Sequence, residues 1–277
     1  MRLGGPLFVK YTGPDEWIQG HRDLGYRAAY CPLGTDAGQD DIHAYASAAQ
    51  KSDIIIAEVG AWSNPLSQDN ATRAAALERC KKSLALANAI GARCCVNIAG
   101  SRGSKWDGPD EKDLTAETFA MIVDMVRDII DSVQPKRSFY ALETMPWMYP
   151  DSTQAYVDLL KAIDRKAFAV HFDPVNLICS PQRYFNNTAI IREFVAKLGP
   201  HIKSCHAKDS LMLDRMTVHL DEVRPGCGKL DYRTYLAEIA KLPGDITIML
   251  EHLPGAEEYA AAAHYIRQVA NQEGLKL

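Results

Sequence analysis

The sequence predicts a (β/α)8 barrel, a single domain over residues 1–277, and three observations predict it. Eight short apolar runs alternate with helical patterns, which implies a parallel sheet covered by helices. The length, 277 residues, is ordinary for one such barrel. The segment KYTGPDEW, after the first run, contains no GxGxxG, the glycine-rich turn an open doubly wound sheet would usually carry there.

The expected strands, in order, are PLFVKY (6–11), YRAAYC (26–31), DIIIAEVG (53–60) and RCCVNIAG (93–100). SFYALET (138–144), AFAVHFD (167–173), IKSCHA (202–207) and ITIMLEH (246–252) complete the set. Three helices between them are clear. Residues 71–92 keep a helical pattern that stops at Gly91, and residues 115–133 start at Thr115 and Thr118 and stop before Pro135. Residues 152–164 follow Ser152, a good N-cap residue. No low-complexity linker divides the chain. The segment Lys208 to Leu230 is long for a βα connection, which suggests a lid.

Composition narrows the function classes. With 47% hydrophobic and 24% charged residues, the chain can bury a large core. A formal net charge of -4 argues against a nucleic-acid partner. The start, MRLGGPLFVKYTG, lacks the charged and apolar regions of a signal peptide. No run approaches the roughly 20 apolar residues of a membrane span, so no membrane association is expected. The seven cysteines show no CxxC spacing, which suits reduced thiols and a cytoplasmic location. Cys94, Cys95 and Cys205 fall in strand runs and read as small core residues.

Catalytic groups of a barrel sit at the C-terminal ends of its strands. The fifth expected strand ends in Glu143, the sixth in Asp173, the seventh in His206 and the eighth in Glu251. Alternation turns these inward together with Ala141, His171, Ser204 and Met249. Taken alone, Asp173 reads equally well as a turn aspartate before Pro174, and His206 as a core histidine. Together the four are harder to dismiss, because three clustered carboxylates repel one another without a cation. Three carboxylates and an imidazole suit one divalent ion, Mn²⁺, Mg²⁺, Co²⁺ or Zn²⁺. His171 lies a layer deeper; it reads as a supporting or core group before a metal ligand, and is counted with the candidate substrate contacts. Glu58 and Asn97 end the third and fourth strands, where they could touch substrate hydroxyls or cap loops. Lys208 is either a substrate contact or a loop lysine paired to Asp209. Trp62, Trp147 and Tyr149 stand on rim loops where an aromatic face could stack on a sugar. Gly226 and Gly228 belong to the loop after strand seven.

ALET around Glu143, FDPVN around Asp173, SCHAKD around His206 and MLEH around Glu251 resemble, as a set, the xylose-isomerase-like barrel family. That family spans sugar isomerases and epimerases, inosose isomerases and dehydratases, and endonuclease IV-like enzymes. The resemblance implies a metal site of Glu143, Asp173, His206 and Glu251, with Mn²⁺ favoured and the two glutamates acting as an acid/base pair. It also implies proton abstraction beside a carbonyl through an enediolate, on a small carbohydrate or cyclic polyol. Members of this kind often pair, so a homo-oligomer is compatible. Three positions depart from the ketohexose 3-epimerases: Asn176 replaces a histidine, Tyr149 a glutamate and Met212 an arginine, with Arg215 nearby. These departures turn the expectation from free ketohexoses toward a cyclic polyol ketone or a molecule with an aromatic or aglycone part, with Asn176 orienting its hydroxyls. The leading expectation is an isomerase or epimerase. The alternative is a lyase, an inosose dehydratase or an enzyme eliminating from 3-keto-glycosides or C-glycosides, using the same enolisation. A hydrolase of the endonuclease type comes third, since it needs more histidines and a basic face. A non-catalytic metal-binding module is disfavoured by the acid/base pair.

Overall fold

The computed structural model describes all 277 residues and is a closed parallel barrel ringed by helices. The barrel strands are β1 (Arg2–Gly4), β2 (Ala28–Tyr30), β3 (Ile55–Gly60), β4 (Cys94–Asn97), β5 (Phe139–Glu143), β6 (Phe168–Phe172), β7 (Ile202–Ala207) and β10 (Thr247–Leu250). They close in the order β1-β10-β7-β6-β5-β4-β3-β2. The helices are α1 (Pro14–Asp23), α2 (Gln39–Lys51), α3 (Asn70–Ile90), α4 (Ala116–Val133), α5 (Thr153–Ile163), α6 (Pro181–Phe185), α7 (Asn187–Leu198), α8 (Tyr232–Ala240) and α9 (Ala256–Gln272). No helix is long and apolar enough to cross a membrane.

The capping signals act as the residue types predict. Asp69 accepts the Thr72 N–H at the start of α3, Thr115 that of Thr118 in α4, and Ser152 that of Ala155 in α5. Gly91 closes α3 in the left-handed conformation, at φ 82°.

Seven of the eight expected runs contain a barrel strand. The first does not: β1 is Arg2–Gly4, and residues 6–11 form no strand. Pro6 has no N–H to give a ladder. The true strand, RLG, holds one large apolar residue, so periodicity cannot reveal it. Arg2 anchors it from beneath, pairing with Asp245 at 2.7 Å and Asp53 at 2.6 Å, on the segments entering β10 and β3. Gly4 pairs with both Met249 and Ala28, and a Cβ there would overlap the Ala28 carbonyl. The barrel therefore closes through a backbone contact only glycine permits.

Two further features position the rim. Between β2 and β3 the register shifts, so that Tyr30 lies opposite Glu58 and Ala57 is the extra residue. Ala57 packs on Ala28 and Met249 while Glu58 meets His171, so two successive residues share the interior face. The segment expected as a lid is an antiparallel hairpin of β8 (Asp209–Leu213) and β9 (His219–Val223). Its base is knitted by Asp209, whose carboxylate accepts N–H groups from Ser210, Gly226, Gly228 and Leu230. Gly228 has no room for a Cβ against Asp209 and the Ser210 carbonyl, so this loop glycine has a structural reason.

Gly4→Ala should destabilise the chain by about 1–3 kcal/mol, the usual cost of overpacking. Urea unfolding of the variant checks this; an unchanged midpoint would mean the β1–β2 seam can open to admit a methyl group.

Candidate active site

The four rim residues converge. Glu143 is the last residue of β5, Asp173 follows β6, His206 lies in β7 and Glu251 follows β10. A donor atom from each lies within 4.8 Å of those of the others. His206 Nδ1 stands 2.8 Å from Glu251 Oε1, 3.1 Å from Glu143 Oε1 and 3.9 Å from Asp173 Oδ2. Lys208 reaches the same point from just beyond β7. Its Nζ lies 2.6 Å from Glu251 Oε1, 2.7 Å from Asp173 Oδ2 and 3.7 Å from Glu143 Oε1. It is therefore a buried partner of the carboxylate cluster and not a solvated loop lysine. Asp209, the loop partner considered for it, is occupied by backbone N–H groups instead.

Burial and charge pull these groups apart in pKa. Burial pushes Asp173 up to about 6, aided by Glu143 and Glu251 and opposed by Lys208. Burial also acts to raise Glu143 and Glu251, but His206 and Lys208 hold both below the usual carboxylate range. The two glutamates are thus ionised at neutral pH and able to accept a proton.

The donor set fits a divalent cation on structural grounds. Asp173 Oδ2 and Glu251 Oε1 are buried without an aligned hydrogen bond, although the Lys208 ammonium is near. One ammonium shared among three buried carboxylates leaves net negative charge that a divalent cation would offset. Asp173 Oδ1, by contrast, is occupied by the N–H groups of Val175 and Asn176, which fixes which oxygen faces the cluster.

Above the cluster opens a cavity of about 540 Å³. Glu143, Asn176, Lys208, Glu222, Glu251 and Tyr30 make its polar part. Trp62, Trp106, Trp147, Ile98, Met145 and Pro146 make an apolar part. Trp147 is fixed by donating its Nε1–H to the Asp107 carbonyl at 3.0 Å. Of the expected substrate contacts, Asn176, Trp62, Trp147 and Lys208 line this cavity. Asn176 also donates through Nδ2 to Glu143 Oε1 at 3.1 Å, so it holds the carboxylate.

Four expected contacts lie elsewhere. Asn97 is fully buried, with its amide spent on Ser63 and Cys80. Glu58 and His171 are buried beneath the cluster and face each other at 3.1 Å, out of reach of the cavity. Tyr149 turns its hydroxyl to the Leu114 carbonyl and packs on Phe119. Trp106, Glu222 and His252 reach the cavity without having been expected there. Trp106 sits in the irregular stretch SRGSKWDGPD, which has no periodicity to place it. Glu222 arrives on β9 and bonds His252 Nδ1 at 3.1 Å, a pairing visible only once the hairpin is known.

A family model described as xylose isomerase-like TIM barrel matches residues 21–269. Among solved structures the chain resembles a probable 3-DHS dehydratase of petrobactin synthesis from Bacillus anthracis, with TM-score 0.70 and 15% identity over 95% of each chain. It also resembles 3-keto-D-glucoside 4-epimerase from E. coli, with TM-score 0.67 and 12% identity over 97% of this chain and 99% of that one. A third is a xylose isomerase-like TIM barrel protein from Mycobacterium smegmatis in complex with magnesium, with TM-score 0.66 and 16% identity over 95% and 90%. Comparison with curated proteins gives no match.

Asp173 gives a pH test in chelator. Its native pKa, about 6, lies above the 3.8 of an ordinary aspartate, so the native state binds the proton more tightly. The stability this contributes is full below pH 3.8 and is lost as pH rises through about 6. Asp173→Asn keeps the Oδ1 acceptor and never ionises. Above pH 6 the metal-free variant should be at least as stable as the parent in urea, and a marked loss of stability there would contradict this assignment.

Proposed function

The chain belongs to the xylose isomerase-like TIM barrel family, and from that premise we propose that it is a divalent-metal-dependent isomerase or epimerase of a sugar or cyclic polyol. The observation that carries the proposal is the pair Glu143 and Glu251. Both are ionised, both border the cavity, and they reach the same imidazole from strands on either side of it.

Glu143, Asp173, His206 and Glu251 hold the cation. When bound, it supplies Lewis acidity toward a carbonyl and a neighbouring hydroxyl; Mn²⁺ is favoured, with Mg²⁺, Co²⁺ and Zn²⁺ as alternatives. The protein's own groups do the rest. Glu143 Oε1 carries the contacts to His206, Asn176 and Lys208, which leaves Oε2 for the substrate. One glutamate removes the proton from the carbon beside the carbonyl, and the electron pair passes to the carbonyl oxygen as an enediolate. The opposite glutamate, once it has taken up a proton from water or a substrate hydroxyl, returns it to the same carbon and inverts that centre; return at the adjacent carbon, with the hydroxyl proton passing to the old carbonyl oxygen, isomerises the sugar. Lys208, with Nζ among the carboxylates, offsets negative charge as it develops and orients a substrate hydroxyl. From the hairpin, Glu222 borders the cavity.

The apolar part of the cavity favours a second reading. Three tryptophans, each a little over one-third exposed, are more aromatic surface than one sugar ring requires. A substrate with an aglycone or second ring would occupy it. If that group lies β to the carbonyl, the same enolate can expel it, and the enzyme is then a lyase. The reading draws on the neighbouring dehydratase and keto-glucoside epimerase only as analogues.

Incubating the Mn²⁺-loaded protein in D₂O with keto sugars, inososes and 3-keto glycosides tests enolisation directly. Deuterium should enter the carbon next to the carbonyl of at least one of them, and chelator should abolish the exchange. In metal-replete samples, Glu143→Gln and Glu251→Gln should each lower turnover by roughly 10²-fold or more. Exchange at the wild-type rate in both variants would refute the two-carboxylate mechanism. Trp106→Ala should raise KM for an aryl glycoside by roughly 2- to 13-fold, from the roughly 0.5–1.5 kcal/mol of an aromatic contact, and leave KM for a free keto sugar nearly unchanged.

A further inference from the structure

A second polar cluster lies under the floor of the cavity, and no substrate can reach it. Glu58, on β3, is 1% exposed, and His171, Ser204, His206 and Thr247 around it are fully buried. Its Oε2 faces two imidazoles, His171 Nε2 at 3.1 Å and His206 Nε2 at 3.5 Å. Its Oε1 accepts from Ser204 Oγ at 3.4 Å, and Ser204 Oγ in turn accepts from Thr247 Oγ1 at 2.9 Å. The two imidazole rings stand edge to face, with centroids 4.1 Å apart.

The two nitrogens of His206 therefore see different surroundings. Nδ1 points up at Glu143 and Glu251. Nε2 points down, is buried, and has no aligned hydrogen-bond partner; Glu58 Oε2 is the carboxylate oxygen beside it. A neutral imidazole that gives one nitrogen to a cation must carry its proton on the other. That proton needs an acceptor, and an anionic one both fixes the tautomer and makes the ligating nitrogen more basic.

We propose that Glu58 is a positioning residue for the metal site: held by His171 and Ser204, its carboxylate accepts the Nε2–H of His206 and so presents Nδ1 to the cation. This rests on the metal site proposed above. It gives Glu58 and His171 a role in place of the substrate contact expected from sequence. It also explains the register shift in β3, because without the extra residue Ala57, strand alternation would turn the Glu58 carboxylate away from His206.

The arrangement makes a definite demand on metal binding. Glu58→Gln keeps the size of the side chain and loses its charge and one of its two acceptor oxygens. With folding verified by circular dichroism, Mn²⁺ affinity measured by calorimetry should fall roughly 10- to 100-fold, the usual effect of removing such a partner. Wild-type protein should bind one Mn²⁺ per chain. An unchanged affinity in the folded variant overturns the inference and leaves the metal site standing. Two ions per chain also overturn it, because Glu58, His171 and His206 would then be a second ligand set. No Mn²⁺ binding by the wild-type chain removes the metal site itself, and the inference with it. A second measurement does not depend on the variant folding. In ¹⁵N-histidine spectra of the Zn²⁺-loaded wild-type protein, His206 should keep its proton at Nε2 and bind zinc through Nδ1; the reverse arrangement refutes the proposal.

Discussion

Everything at the top of this barrel depends on bringing three carboxylates together out of water. Isolated, each would take up a proton sooner than remain charged there. His206 and Lys208 prevent that for Glu143 and Glu251, while Asp173, the most enclosed, is left with a raised pKa. The cluster is therefore under electrostatic tension that a further positive charge relieves. Such tension weakens the fold locally and is typical of sites retained for chemistry.

The tension is supported by an interior that is polar for a barrel. Large branched residues usually fill the layers between strands. Here Ala28, Ala57 and Met249 fill one side and Cys94, Val96 and Ala141 another, leaving space for Glu58, His171, Ser204 and Thr247. Hydrophobic stabilisation comes instead from the layer between strands and helices, where Trp17, Tyr156, Phe172 and Phe194 are buried. Small residues inside and large ones outside let one fold be stable in its shell and reactive at its centre.

The sequence made legible what obeys strand alternation. Glu143, Asp173, His206 and Glu251 could be read because each ends an apolar run and the barrel fixes which end faces the cavity. Helix limits at Gly91, Thr115 and Ser152 were legible because capping is a local interaction. What escaped was non-local. β1 is short, and only its contact with Ala28 shows why Gly4 stands there. Glu58 was legible as a polar strand end, but its position beneath His206 comes from a register shift that no periodicity records. Trp106 lies in an irregular loop, and Lys208 in a run where a solvated partner, Asp209, was equally plausible until the hairpin showed Asp209 engaged by four backbone amides.

That anchoring of Asp209 has a consequence for how such a protein can change. The hairpin leaves the barrel through a base held by backbone amides, while its tip, around Met216 and Val218, stands in solvent and touches no part of the carboxylate cluster. Residues at the tip can be exchanged, lengthened or shortened without moving Glu143, Asp173, His206 or Glu251. The tip does not line the cavity either, so variation there is physically separable from the site. A lineage, or a library built on residues 214–218, can reshape this exposed edge while inheriting the same site.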